Sequence, residues 1–92
     1  MTYFVLLYTY VADMPERRVP HREAHLKIVT GYHERGELLM AGAWAESPNG
    51  AALIFRCEDK ATVEDFVKFD TYVANGLVMS WQIRRWNVAV GG

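Results

Sequence analysis

Two kinds of hydrophobic pattern alternate along the chain. Four segments are rich in aromatic and branched aliphatic residues and are bounded by turn residues, which is typical of β-strands. Two other segments carry apolar residues three and four positions apart, which is typical of helices that bury one side. The predicted strands cover residues 3–11, 37–45, 51–57 and 77–90, and the predicted helices cover residues 20–35 and 59–69.

Turn and capping residues support these boundaries. Pro20 suits the first turn of a helix, and Gly36 suits the position just after its end. Asp59 can cap the second helix through its side chain. The Ser-Pro-Asn-Gly stretch at residues 47–50 predicts a tight turn, and the charged residues 13–20, with two prolines, predict a loop.

The order of these elements predicts an α+β fold. Strand–helix–strand–strand–helix–strand is the ferredoxin-like βαββαβ arrangement, a four-stranded antiparallel sheet with two helices on one face. At 92 residues the chain is expected to form a single domain, residues 1–92. The other face of the sheet needs a cover. Because strand positions on both faces carry aromatic residues, we expect a second copy of the chain to supply it, in a homodimer.

Composition excludes several classes of partner. Hydrophobic residues make up 51% of the chain, which indicates an ordered globular protein. The formal net charge of −1, without a Lys/Arg stripe, argues against nucleic-acid binding. The apolar first dozen residues are too short to cross a bilayer and lack the features of a signal peptide, so no membrane partner is expected. Cys57, the single cysteine, allows no intrachain disulfide, fits a cytoplasmic location and is interpreted as a packed thiol.

The segment His-Arg-Glu-Ala-His at residues 21–25 places two histidines four residues apart, a spacing that suits a metal site on a helix. The metalloprotease motif, however, has Glu directly after its first His, and here Arg22 stands there. Glu23 falls on the solvent side of the predicted helix. We therefore expect no metal, although a two-histidine site with a distant third ligand stays open as an alternative.

Helical phase distinguishes the two histidines. His25 falls near the middle of the apolar stripe of its helix, and Asp70 continues the apolar stripe of the second helix. A buried carboxylate needs a partner. Both helices pack on the same face, so His25 and Asp70 can converge, and a carboxylate-oriented imidazole suits a general base near neutral pH. The alternative is a core histidine with an ordinary hydrogen bond and an aspartate that only caps a turn.

Five segments stand in a characteristic order along the chain: YFVLLYTY at 3–10, REAH at 22–25, LLMAGA at 38–43, FDTYVANGL at 69–77 and IRRW at 83–86. Together they resemble the YCII-related (YciI-like) family. The resemblance implies a ferredoxin-like fold that dimerises as an α/β barrel, with His25 and Asp70 as an active-site pair. One relative in that family is a dehydrochlorinase, which is a precedent for acid–base elimination. The chain departs at Thr71, where the family usually has proline, which loosens the turn after Asp70.

The leading functional hypothesis is an enzyme that moves a proton on a small organic acid, by elimination, isomerisation or hydration. His25 is the predicted base and Asp70 orients it. Arg22 is predicted to hold a substrate carboxylate, or alternatively to form a solvent-side ion pair. Two alternatives stay open, a ligand-binding module without chemistry and a cofactor-free monooxygenase of the dimeric α/β-barrel type. No flavin or haem motif is visible, so no cofactor is expected. His21, Tyr8 and Tyr32 are predicted to border the substrate cleft.

Overall fold

A computed structural model describes all 92 residues and contains the predicted ferredoxin-like fold. Four strands form one sheet in the order β2-β3-β1-β4, and every neighbouring pair is antiparallel. The first and last strands of the chain therefore lie side by side, as the βαββαβ arrangement requires. The strands are β1 Thr2–Tyr10, β2 Leu38–Ala43, β3 Gly50–Cys57 and β4 Val78–Trp86.

Two long helices cross the sheet, and three shorter turns of helix adjoin them. The long helices agree with the predicted ones to within two residues at each end, but Pro20, expected in the first turn of the first helix, lies instead in the 3₁₀ turn before it. Gly36 and Asp59 act as predicted. Gly36 has a positive φ of 81° just beyond the first long helix, and the Asp59 side chain accepts a hydrogen bond from the backbone N–H of Ala61 at the start of the second. The helices are α1 Met14–Arg17, a 3₁₀ turn Val19–His21, α2 Arg22–Glu34, α3 Lys60–Phe69 and α4 Thr71–Ala74.

Residues 13–20 were predicted as a loop, and this prediction is wrong in part. The segment contains α1 and most of the 3₁₀ turn, each with a proline in its first turn. Proline fixes φ near the helical value and lacks only an N–H that a first turn does not use. The two prolines therefore start short helices here. Only Asp13 and Arg18 remain outside the two elements.

Alternation along the central strands separates the two faces of the sheet. The even-numbered residues of β1 from Phe4 onwards and the odd-numbered residues of β3 point towards the helices and are buried. The side chains of Val63, Phe66 and Val67 on α3 pack over them, as the apolar stripe predicted. The buried residues of the two strands are Phe4, Leu6, Tyr8, Tyr10, Ala51, Leu53, Phe55 and Cys57.

The opposite face of the sheet carries no helix. Val5 pairs with Ile54 across β1 and β3, and both side chains are only half-buried. Met40 beside them on β2 is 67% exposed, and Trp86 on β4 is 46% exposed. An apolar strip of Met40, Ile54 and Val5 therefore crosses this open face from β2 to β1. The β4 residue level with Val5 is Arg84, and Trp86 lies one row further along, opposite Tyr3.

Two further features bear on the sequence-based expectations. The Cys57 thiol is buried and contacts the Asp59 carbonyl oxygen at 3.4 Å, and burial raises the pKa of this thiol. No helix of the protein is long and apolar enough to cross a membrane.

Candidate active site

His25 and Asp70, which lie 45 residues apart in the sequence, are in direct contact beneath the helices. The His25 Nδ1 atom lies 2.6 Å from Oδ1 of Asp70. The His25 residue is 8% exposed and Asp70 is fully buried. The contact expected from the phases of the two helices is therefore present, and the catalytic roles of the two residues stay predictions.

The Asp70 carboxylate occupies the junction between α3 and α4. Its backbone is extended at that point, so the chain turns and α4 begins immediately afterwards. The carboxylate accepts hydrogen bonds from the Tyr8 hydroxyl at 2.8 Å, from His25 Nδ1 and from the Tyr72 backbone N–H at 3.1 Å. Three donors thus compensate a fully buried acid, which would otherwise be costly to desolvate.

The same contacts fix which nitrogen of His25 carries a proton. An ionised carboxylate can only accept hydrogen bonds, so Nδ1 must donate. Oδ1 already accepts from the Tyr72 N–H, which is consistent with that role. In neutral His25 the proton therefore sits on Nδ1, and Nε2, which has no partner in the chain, presents a lone pair.

Tyr72 supports the imidazole from one side. Its ring stacks on the His25 ring with centroids 3.7 Å apart and planes 5° from parallel. Tyr10 meets the Tyr72 ring edge-on at 6.0 Å. The stack and the Asp70 hydrogen bond together restrict both the position and the rotation of the His25 ring.

A cavity of about 310 Å³ opens beside His25, and most of its lining is apolar. His25, Arg22 and Arg18 are its charged or titratable basic residues, and no aspartate or glutamate lines it. The cavity is therefore a place where an anionic ligand of small size would meet His25. Its lining consists of Tyr10, Arg18, Arg22, His25, Leu26, Val29, Ala41, Gly42, Ala43, Ala51, Leu53 and Tyr72.

Of the predicted substrate-contacting residues, Arg22 lines this cavity and three others do not. Tyr8 lies behind Asp70 and uses its hydroxyl to bind the carboxylate. The ring of Tyr32 packs edge-on against Phe55 and Phe66, because its position on α2 faces the α3 side of the core. His21 ends the 3₁₀ turn before α2 and does not line the cavity.

The histidine pair that suggested a metal has no third ligand nearby. No group of three or more His, Cys, Asp and Glu side chains is arranged to hold a metal ion. The Nδ1 atom of His25 is already engaged by Asp70. The spacing of His21 and His25 is therefore not the feature that organises this site.

Three residues of the site escaped the sequence-based prediction: Arg18, Tyr10 and Tyr72. The four-residue spacing of Arg18 and Arg22 was visible, but residues 13–20 were interpreted as a loop, where spacing has no geometric meaning. Tyr72 lies in α4, which at four residues is too short to show a periodic pattern. Tyr10 looked like an ordinary aromatic strand residue.

Burial and the adjacent carboxylate both raise the pKa of the Tyr8 phenol, with burial the larger cause. Tyr8 therefore stays a neutral donor to Asp70 above pH 10, whereas the same residue in the unfolded chain ionises near that pH. Above this pH the folded chain keeps the phenol proton that the unfolded chain loses. The contribution of Tyr8 to the free energy of unfolding is therefore fully present below about pH 10 and falls as the pH rises further.

We predict that Tyr8→Phe makes alkaline unfolding shallower. Wild type should lose about 1.4 kcal/mol of unfolding free energy per pH unit above pH 10 through Tyr8, and the variant should lack this contribution. Urea unfolding at pH values from 9 to 11 measures both slopes. The pKa of Tyr10 is also raised by burial, but Tyr10 is present in both proteins and its effect cancels in the difference. Parallel curves would contradict this prediction.

Thr71 takes the first position of α4, where a proline would fit. The backbone N–H at that position has no intrahelical partner, and the Asp70 backbone, at φ −66° and ψ 124°, has the extended conformation that proline favours in the preceding residue. The family resemblance suggested that threonine in place of proline loosens this turn. The Asp70 carboxylate nevertheless accepts hydrogen bonds from three donors.

We therefore predict that Thr71→Pro raises the free energy of unfolding by about 0.4–1 kcal/mol, because it restricts the unfolded chain without removing a native hydrogen bond. Thr71→Ala is the control, since it removes the threonine side chain without restricting the backbone. A Thr71→Pro protein less stable than Thr71→Ala in urea unfolding would show that α4 cannot accept the ring.

Comparison with known proteins identifies the family to which this chain belongs. The YCII-related domain matches residues 1–87 of the chain. No curated protein sequence matches it significantly. Among solved structures, the chain is similar to 5-chloro-2-hydroxyhydroquinone dehydrochlorinase from Burkholderia phenoliruptrix in complex with 2,5-dihydroxybenzoquinone. The TM-score is 0.79 at 19% identity, covering 92% of this chain and 93% of the other.

Two monooxygenase-like structures share the fold at lower similarity. One is a proposed antibiotic biosynthesis monooxygenase from Bacteroides thetaiotaomicron, with TM-score 0.63 and 17% identity over 99% of this chain and 91% of that one. The other is an antibiotic biosynthesis monooxygenase with TM-score 0.64 and 9% identity over 98% of this chain and all of that one. At such identities the likeness concerns the fold alone, which hosts more than one chemistry.

Proposed function

The chain belongs to the YCII-related family, and we propose that it is an enzyme that moves a proton on a small organic acid with His25 as general base. One observation carries this proposal. Nδ1 of His25 is bound to a buried carboxylate while Nε2 is free, and the residue lines a cavity that contains arginine and no acid. This is the arrangement in which an imidazole can take a proton from a bound ligand.

In the proposed reaction, Nε2 of His25 removes a proton from a carbon next to an electron-withdrawing group. The electron pair left on that carbon forms a double bond. In an elimination it expels a leaving group such as halide, and in an isomerisation the proton returns from Nε2 to a different carbon. Asp70 stabilises the imidazolium that forms, because its carboxylate accepts the Nδ1–H bond throughout. The reaction moves no electrons to an acceptor, so the proposal includes no cofactor.

Arg22 is the proposed anchor for the substrate carboxylate. It lines the cavity with His25, and no intrachain carboxylate lies within ion-pair distance of it. A guanidinium can bind a carboxylate through two parallel hydrogen bonds, which fixes the distance and the angle of the reacting carbon. The solvent-side ion pair considered for this residue is not present in the structure.

The structural neighbour from Burkholderia phenoliruptrix supports the choice of reaction class. It is a dehydrochlorinase, and its ligand is a single six-membered ring with oxygen substituents. A cavity of about 310 Å³ is of the size that such a ligand requires. Elimination is therefore the first reaction to test, followed by isomerisation.

A solvent-exchange screen tests the proposal without knowledge of the substrate. Small carboxylic acids with an acidic C–H, including β-halogenated ones, are incubated with the protein in D₂O and followed by NMR. We expect deuterium at the abstracted position, or loss of halide, with wild type but not with His25→Ala. Binding of an acid without exchange or product would favour the ligand-binding module, and product formation that requires oxygen would favour the monooxygenase alternative. Either result overturns the proposal.

We also propose that residues 1–92 fold as a single domain and that this domain forms a homodimer through the open face of the sheet. The support is the apolar strip from Met40 through Ile54 to Val5, which no element of the chain covers. Ile54→Arg places a charge in the middle of that strip and should yield a monomer by light scattering. Lys27→Glu, on the solvent side of α2, is the control and should leave the mass unchanged. A wild-type monomer at micromolar concentration contradicts the dimer.

A further inference from the structure

Arg18 and Arg22 form a pair of cations without counterions. Arg18 follows α1, Arg22 opens α2 four residues later, and both line the cavity beside His25. The ion pairs of the chain are Arg17 with Asp13, His25 with Asp70 and Arg35 with Glu37. Neither cavity arginine takes part in one. Two positive charges therefore share a small cavity in a protein whose net charge is −1.

Both charges act on the same part of the cavity. Burial raises the pKa of the Tyr10 phenol, and the charges of Arg18 and Arg22 each lower it against that effect. Tyr10 is 6% exposed and also lines the cavity, so the two guanidinium groups reach the same wall from the α1–α2 side. A ligand next to Tyr10 would experience both charges.

The remaining walls restrict the body of such a ligand. The strand side of the cavity is built from small residues, Ala41, Gly42, Ala43 and Ala51, and the helix side contributes Leu26 and Val29. These side chains offer no hydrogen-bonding groups, so the ligand must present a compact apolar frame to them. The polar side chains of the lining are those of Arg18, Arg22, Tyr10, His25 and Tyr72, and the Tyr72 hydroxyl is buried without a hydrogen-bond partner in the chain.

We propose that the cavity binds a dianion, a small apolar frame with two acidic groups, and that Arg18 holds the second group while Arg22 holds the first. Arginine suits this role because its planar donors match a carboxylate and it remains charged at every physiological pH. Two guanidinium groups without counterions in one cavity repel each other, and a bound dianion would neutralise both charges. This inference deepens the proposed function and rests on it only for the chemical step, since binding requires no turnover.

Two matched pairs of compounds test the second charge. Phthalate and 2-methylbenzoate differ by one carboxylate replaced with methyl, and so do maleate and isocrotonate. Titration calorimetry on the full-length protein should give about tenfold tighter binding of the dianion in at least one pair, the gain expected of one charge-assisted contact. The Arg18→Gln protein should bind the dianion and the monoanion of each pair with about equal affinity, and its affinity for the monoanion should differ little from that of wild type.

Arg17→Gln is the matched control, because Arg17 is adjacent in sequence, pairs with Asp13 and does not line the cavity. It should retain the full preference. A wild-type protein without dianion preference, including one that binds none of the four compounds, overturns the inference, and so does a preference that persists in Arg18→Gln. A preference that depends on Arg18, in a protein whose His25 variants keep full turnover, would overturn the proposed function and leave this inference standing.

Discussion

Replacing His25 by alanine is expected to lower kcat/KM by about 10²–10⁴-fold, the range that a positioned general base contributes. The chain should stay folded, because His25 provides only one of the three hydrogen bonds to Asp70. Activity is measured on a substrate identified by the solvent-exchange screen. Circular dichroism and thermal unfolding of the same preparation establish that the fold persists.

His21→Ala is the matched control for this experiment. His21 lies four residues earlier, belongs to the 3₁₀ turn and does not line the cavity. It should keep kcat/KM within a few-fold of wild type. A folded His25→Ala protein with wild-type activity would remove His25 from the mechanism, and a large loss in His21→Ala would mean that the cavity is not the site of reaction.

Asp70→Ala is expected to have the largest effect on stability, a loss of about 3–5 kcal/mol in the free energy of unfolding. The substitution leaves the Tyr8 hydroxyl, the His25 Nδ1–H and the Tyr72 N–H without an acceptor in a fully buried place. It also removes the cap of α4. Urea unfolding near neutral pH measures the change.

Asp59→Ala provides the comparison, since Asp59 also caps a helix but does so at the surface through one hydrogen bond. It should cost about 1 kcal/mol. If Asp70→Ala cost no more than Asp59→Ala, the buried network would contribute little. Asp70→Asn should retain most of the stability, because its amide oxygen can accept from His25 Nδ1 and the Tyr72 N–H while its NH2 donates to the Tyr8 hydroxyl. It should still lose activity, because a neutral amide stabilises the imidazolium less than a carboxylate does.

Much of the fold was predictable because local patterns and tertiary structure agree in this chain. The density of aromatic and branched aliphatic residues at 3–11 predicted a strand, and β1 forms over Thr2–Tyr10. Gly36 and Asp59 end and start helices through backbone and side-chain geometry that needs no distant partner. Similarly, Val63, Phe66, Val67 and Asp70 follow one helical stripe, which placed the carboxylate on the buried side before any contact was known.

The part of the site that was missed depends on groups whose partners are distant in sequence. Tyr8 was predicted to border the cleft, but nothing in β1 indicated that its hydroxyl donates to an acid 62 residues away. The short helix α1 and the 3₁₀ turn bring Arg18 to the cavity, but four residues are too few for a periodic pattern to appear. The sequence therefore indicated the contact between His25 and Asp70, while the arrangement of cations and supporting aromatic rings required the tertiary structure.

The tautomer of His25 is the most direct test of the central claim that Asp70 holds Nδ1–H and leaves Nε2 free to accept a proton. A long-range ¹H–¹⁵N correlation spectrum of the ligand-free protein at mildly alkaline pH distinguishes the two neutral tautomers through the ¹⁵N shifts of the ring. The structure predicts that Nδ1 carries the proton and Nε2 does not. A neutral His25 protonated at Nε2 would contradict this account, because the nitrogen facing the ligand would then be unable to act as a base.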